Sequence, residues 1–182
     1  MAVPVVTIDG PGGAGKGTVA SAIAKALRWH LLDSGALYRI IAVAGLADGI
    51  ALDDAQALVE MSEGLDIIFD DGQVRVNGVN LTDAIRTEEA GNSASQVAAL
   101  PPVRDAIFAL QQGFRRAPGL VADGRDMGTV VFTDAPVKIF LDASAEARAE
   151  RRYNQLKNNG LGVNFRALLE QIQERDARDR ER

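Results

Sequence analysis

The chain has 182 residues, no cysteine and a formal net charge of −5 at pH 7. That length holds one sizeable core and not two independent domains; the missing cysteines exclude disulfides and thiolate metal sites and fit a reducing, cytoplasmic setting. No apolar run is long enough to cross a bilayer and no basic segment leads an apolar signal core, so no membrane partner is expected. The charge is uneven: from Arg148 onward nine Lys or Arg face six Asp or Glu, a balance of +3, which leaves −8 on residues 1–147. An acidic body argues against general nucleic-acid affinity, while a basic end can gather a small polyanion. Composition alone favours the blander account of that end, a solvated helix of mixed charge.

The first element is the β-branched run Val5-Val6-Thr7-Ile8, which reads as a buried strand. It leads through Asp9 into Gly10-Pro11-Gly12-Gly13-Ala14-Gly15-Lys16-Gly17-Thr18, after which Val19, Ile23, Ala26 and Leu27 recur at helical spacing. Strand, glycine loop and helix together make a phosphate cradle, because loop amides, the positive end of a helix and the Lys16 ammonium converge on one point. A plain turn with a solvated lysine is the alternative. One departure marks the loop: the residue after the lysine is usually Ser or Thr, to hold Mg²⁺, but here Gly17 intervenes and Thr18 follows it.

Trp29 to Leu32 is a short candidate strand ending in Asp33-Ser34-Gly35, with Ser34 placed to cap a helix whose apolar face is Leu37, Ile40, Ile41 and Ala44. The single histidine, His30, reads as a packing residue beside Trp29. Tyr38 and Arg39 follow the strand end, the edge at which open parallel sheets bind ligands. Asp53 to Glu63 is helical. The pattern then changes to Leu65–Phe69, Gln73–Val76 and Val79–Leu81, joined by Asp71-Gly72 and Asn77-Gly78, both hairpin pairs. This antiparallel meander is too small to stand alone and reads as a lobe leaning on a parallel α/β body. Thr87 to Leu100 and Val103 to Arg116 are helices divided by Pro101-Pro102, with Ser95 and Arg104 as polar points in apolar stretches.

A strand at Leu120–Ala122 runs into Asp123-Gly124-Arg125-Asp126-Met127-Gly128, a density of charge between glycines that suggests a site, with a salt-bridged turn as the alternative. Val137–Leu141 is the next strand. Ser144 caps a helix carrying Arg148, Arg151 and Arg152; Asn164 caps a last helix striped with Phe165, Leu168, Leu169 and Ile172. In that helix Arg175, Arg178 and Arg182 are expected to share a face beside Asp179, either as intrahelical ion pairs or as forks for phosphate oxygens. No large apolar surface stripe is left unassigned, which favours a monomer.

With these motifs assembled, namely the phosphate loop, Leu31 to Arg39, Ser95 to Ala98, Asp123 to Phe132 and Glu174 to Arg182, the chain resembles the bacterial cytidylate kinases from Val5 to its last residue. The resemblance implies an α/β fold with a P-loop NTPase-type parallel sheet sandwiched by helices, a three-stranded antiparallel insert in the nucleoside-monophosphate lobe and a helical lid. On that pattern residues 1–182 form one kinase domain, with the core at about 1–50 and 100–147, the insert at about 64–100, and the lid and closing helix at about 148–182. Family members continue with a further strand and helix. The implied activity is transfer of the ATP γ-phosphoryl group to CMP or dCMP, with Mg²⁺ accompanying ATP. Gly10 to Thr18 and Arg151 are the implied ATP contacts; Lys16, Arg125, Arg175 and Arg182 are the implied catalytic cations. Ser34, Arg39, Ser95, Arg104, Arg125, Asp126, Asp179 and Arg182 are the implied acceptor contacts, Ser95, Arg104 and Asp126 reading the base.

Overall fold

A computed structural model describes residues 1–70 and 72–181; Asp71 of the first hairpin turn and Arg182 of the arginine set lie outside the described residues. The β-branched run forms β1 (Val5–Asp9), every residue of it buried. It is central in a four-stranded parallel sheet of order β2-β6-β1-β7, in which β2 is His30–Asp33, β6 is Leu120–Gly124 and β7 is Val137–Phe140. Parallel strands need both faces covered, and alternation along β1 divides its side chains accordingly. Val6 and Ile8 pack with Val121 against α1 (Lys16–Leu27), while Val5 joins Leu120 and Ala122 in a larger core on the opposite face.

That larger core is built by α2 (Ser34–Ala47), α3 (Ala55–Ser62) and α5 (Pro101–Gly113), with α4 (Glu88–Ala98) packed on α2. Leu37, Ile40 and Ile41 of α2 are all but fully buried, each worth about 1.5–3 kcal/mol by transfer from water. The small antiparallel sheet β3 (Ile67–Asp70), β4 (Gln73–Val76) and β5 (Val79–Asn80) adds Ile67, Val74 and Val76 to the same core. Its second turn has Asn77 at φ 50° and Gly78 at φ 80°, the two positive values that a tight hairpin turn requires.

The chain closes with an antiparallel helix pair, α6 (Ala145–Asn158) and α7 (Phe165–Arg180), capped at Ser144 and Asn164 as their sequences predict: each side chain accepts from the backbone N–H three residues on. No helix among the described residues is long and apolar enough to cross a membrane.

Several local expectations are corrected. Asp33, not Ser34, caps α2, its carboxylate accepting from Ala36 N at 3.0 Å. α1 meets the sheet through Ala20 and Ala24, with Val19 and Leu27 exposed, because small side chains let the helix approach closely. Two helices do meet at Pro101 and Pro102, but the second begins at the prolines themselves, in the first turn of α5, where a missing N–H costs nothing. β7 is an edge strand, with Val137 46% and Phe140 69% exposed.

Candidate active site

The strand register assembles the site. Asp123 at the end of β6 is paired across the sheet with Asp33 of β2 on one side and Ile8 of β1 on the other, so carboxylates gather at the C-terminal edge where the loops begin. Asp9, the next residue of β1, accepts from the backbone N–H groups of Met127 and Gly128, both at 2.8 Å. These two bonds tie the segment after Arg125 to the foot of the phosphate loop. Sequence reasoning passed over Asp9, although an acid ending an otherwise apolar buried strand has to find donors.

The loop then turns over this edge. Gly10 is held at φ 153° with the Leu141 carbonyl so close that a Cβ would stand 1.9 Å from its oxygen, and Gly15, at φ 94°, is the residue before α1. Only glycine meets both demands. Lys16 opens α1 and folds back along the loop, its Nζ donating to Pro11 O at 3.0 Å. Burial lowers its pKa, opposed chiefly by Asp123, with Arg125 adding to the depression. Asp123 moves the other way: burial, then the adjacent Asp33, push it up to about 7, against the pull of Lys16.

Four arginines crowd the same loop. Arg125 Nη2 lies 3.0 Å from where a Cβ on Gly12 would be, with the Arg175 guanidinium carbon at 3.8 Å from that point. Arg148 donates to Gly12 O at 3.1 Å, and Arg151 to Gly13 O at 3.1 Å. Like charges this close need counter-ions, and α7 supplies them. Arg125 is ion-paired with Asp179, and Arg148 holds Asp176 with both nitrogens of its fork, one at 2.9 Å. The latter pair is 5% and 12% exposed, which makes it the joint between the two closing helices. Burial alone would raise the Asp176 carboxyl, but the hydrogen bonds and charge of the Arg148 fork, joined by Arg125 and Arg180, together outweigh it and hold the carboxyl below its usual range.

The face expected to carry Arg175, Arg178 and Arg182 is therefore different. Arg175, Asp176 and Asp179 turn inward to the loop, Arg178 lines a neighbouring cleft, and Arg182 lies outside the described residues. The sequence reading treated Arg148 as a lid residue only and gave Asp176 no role; a helical arginine facing an acid on the next helix has no signal in one-dimensional spacing.

On the acceptor side, Arg39 of α2 donates to Ile85 O at 2.6 Å and lies against Gly91 of α4, where a Cβ would meet its Nη2 at 2.9 Å. Burial lowers its pKa, opposed first by Glu88 and then by Asp33. Ser34 is buried and accepts from Gln111 Nε2 at 2.9 Å, a partner that spacing could not have named. Ser95, one turn beyond Gly91 on α4, has a buried Oγ with no hydrogen-bond partner among the described residues. It lines a cleft of about 690 Å³ between α4 and α7. Arg104 reaches Ala98 O at 3.4 Å, near that helix end, while Asp126 and Thr18 are exposed.

The cytidylate kinase family model matches residues 6–182. The chain is 59% identical over 184 residues to the cytidylate kinase of Edwardsiella ictaluri, an alignment covering 99% of this chain and 82% of that protein. It is 58% identical over 183 residues to those of Pectobacterium atrosepticum and Salmonella choleraesuis, covering 98% of this chain and 81% of each. Taken with a glycine loop ringed by Lys16 and four arginines, the match places the chain in the cytidylate kinase family.

Proposed function

We propose that this protein transfers the γ-phosphoryl group of ATP to CMP or dCMP, giving ADP and the cytidine diphosphate, with the residues of the loop and its arginine ring as the working parts. The observation that carries the reading is the gathering of Lys16, Arg125, Arg148, Arg151 and Arg175 around one glycine loop, beside a cleft in which Ser95 Oγ has no partner among the described residues. Several desolvated cations around backbone amides are stabilised by a polyphosphate more than by any neutral ligand.

In this reading the amides of Gly10 to Thr18 and Arg151 hold the ATP phosphates. Arg39 and Arg125 orient the acceptor phosphate so that one of its oxygens lies in line with the γ-phosphorus. That oxygen forms the new P–O bond as the bond to the β,γ-bridging oxygen breaks and the electron pair leaves with ADP. Charge spreads over the equatorial oxygens in a loose transition state, and Lys16, Arg125 and Arg175, with Arg182, neutralise it there. The ion pairs with Asp176 and Asp179 pre-position two of the arginines while α6 and α7 lie over the loop, which keeps water from the γ-phosphate. Ser95, Arg104 and Asp126 read the cytosine, and Ser34 and Asp179 contact the acceptor.

Mg²⁺ would enter with ATP. Asp123 fits it: its carboxylate lies 3.7 Å from where a Cβ on Gly17 would stand, and a hydrated cation there would offset its burial. When bound, the ion would neutralise phosphate charge and so ease the transfer. We take the working unit to be a cytoplasmic monomer, as the cysteine-free composition and the resemblance imply.

The test is ADP production from Mg·ATP with CMP, dCMP, UMP and AMP offered separately, against a blank without acceptor. Rapid turnover with CMP and dCMP and weak turnover with UMP and AMP is expected. Turnover with no acceptor, or equal turnover with all four, would overturn the assignment.

A further inference from the structure

The helix α7 has two adjacent polar faces. Arg175, Asp176 and Asp179 serve the phosphate loop, as described above. Gln171, Glu174 and Arg178 fall within an arc of about 60° on the neighbouring face at 100° per residue, and they form one wall of the cleft whose other wall is Asn92, Ser95 and Gln96 of α4. A helix whose only task was to cover ATP would need the first face alone.

Glu174 on the second face is uncommitted. Arg178 follows it at the i,i+4 spacing at which oppositely charged side chains pair, and Arg166 and Glu170 on the same helix make such a pair at 3.8 Å. Among the described residues Glu174 makes neither an ion pair nor a side-chain hydrogen bond. Opposite it, Ser95 Oγ is shielded from water and has no hydrogen-bond partner among the described residues either. The cleft also lies where a nucleoside has to go, because Arg39, a cation for the acceptor phosphate, packs on Gly91 one helical turn before Ser95. Phosphate, sugar and base would run along α4 in that order.

We propose that Glu174 is a specificity-determining residue of the acceptor cleft, its carboxylate accepting a hydrogen bond from the exocyclic amine of the cytosine base. The inference rests on the reading of the chain as a CMP kinase. An exocyclic amine carries two N–H donors, so one carboxylate from the strand side, Asp126, leaves the second N–H for an acceptor on the lid. Uracil presents a carbonyl oxygen at the same place, and a carboxylate facing it is left unpaired against another acceptor. A role at the sugar would not separate the two bases. Placing the second acceptor on α7 also makes lid closure sensitive to which base lies in the cleft, because the face that covers the phosphate loop and the face that reads the base belong to one rigid helix.

The experiment compares kcat/KM for CMP and for UMP in the full chain, Glu174→Gln and Glu174→Asp, with the KM for ATP measured alongside. A glutamine amide can present either its oxygen or its NH₂, so Glu174→Gln should lower the CMP/UMP ratio about tenfold, the size expected for losing one hydrogen bond to a charged group. The KM for ATP should stay within about twofold by the same argument. Glu174→Asp, which keeps the carboxylate, should retain most of the preference. An unchanged ratio in Glu174→Gln, whether both activities fall together or neither does, overturns the role of Glu174 and leaves the kinase assignment intact. An unmodified chain that does not turn over CMP overturns the assignment itself.

Discussion

The phosphate pole and the nucleoside cleft lie side by side and are built on opposite plans. At the pole nearly every charge already has a partner: Arg125 has Asp179, Arg148 has Asp176, and Lys16 and Arg151 donate to carbonyls of the loop they surround. In the cleft the polar groups are held in reserve, with Ser95 Oγ lacking a partner and Glu174 making no ion pair among the described residues. The difference follows from the ligands. A phosphate is recognised by charge and by amides, and cations concentrated for that purpose repel one another unless carboxylates neutralise them. A base is recognised by matching donors to acceptors, which works only if those groups are uncommitted until the ligand arrives.

The largest expected effect is a crossed pair of losses that sharpens this division. Lys16→Ala should lower kcat by about a hundred- to a thousandfold with every acceptor, since it removes transition-state charge stabilisation. Arg104→Ala should instead raise the KM for CMP by about tenfold or more and leave the KM for ATP nearly unchanged. Steady-state kinetics with both substrates varied reads both. If Arg104→Ala weakened ATP and CMP alike, the two regions would not be separable.

A smaller effect tests whether the pairing at the pole is structural. Arg148→Met leaves Asp176 as an uncompensated carboxylate in a largely buried position, which should cost about 3 kcal/mol in urea unfolding. Adding Asp176→Leu should recover most of that loss, because the desolvated charge goes with it. If the double variant were as unstable as the single one, the pair itself and not the stranded charge would be the source of stability.

The smallest is a slope with pH. The Asp123 carboxyl, pushed from 3.8 to about 7 by burial and Asp33, binds its proton more tightly folded than unfolded. The stability it contributes is therefore complete below about pH 4 and is lost as pH rises through about 7. The thermal midpoint should fall between pH 5 and pH 8, and Asp123→Asn should flatten that fall. Asp176, shifted the opposite way, acts only on the acid side of this window. A wild-type midpoint that shows no fall over the same range would mean that Lys16 keeps Asp123 ionised throughout.

Much of the fold was readable along the chain wherever neighbouring residues decide the outcome. The β-branched run before Gly10, the Asn77-Gly78 turn and the caps at Ser144 and Asn164 are all local: the backbone angles and the capping hydrogen bonds close within a few residues. The errors came where two local choices compete. Asp33 and Ser34 are both good caps, and β2 ends so that Asp33 takes the position. Periodicity marks Val19, Ile23, Ala26 and Leu27 as the apolar repeat of α1, whereas the sheet buries Ala20 and Ala24, the small pair that lets the helix approach closely.

Taken alone, the sequence determined the strand, glycine loop and helix on which the proposed phosphate site rests, because glycine spacing, an adjacent lysine and a strand-to-helix turn specify backbone amides that need no distant partner. It also determined the parallel sheet, the insert and the two closing helices. Only the tertiary structure decided which charges neutralise which. Arg148 meets Asp176 across 28 residues and Arg125 meets Asp179 across 54, and both contacts depend on how α6 and α7 are laid over the loop. The assembly of one cleft from Ser95 and Glu174 was decided in the same way. Each helix shows its periodicity in one dimension, but the direction in which a polar face points is set by the surface it packs against.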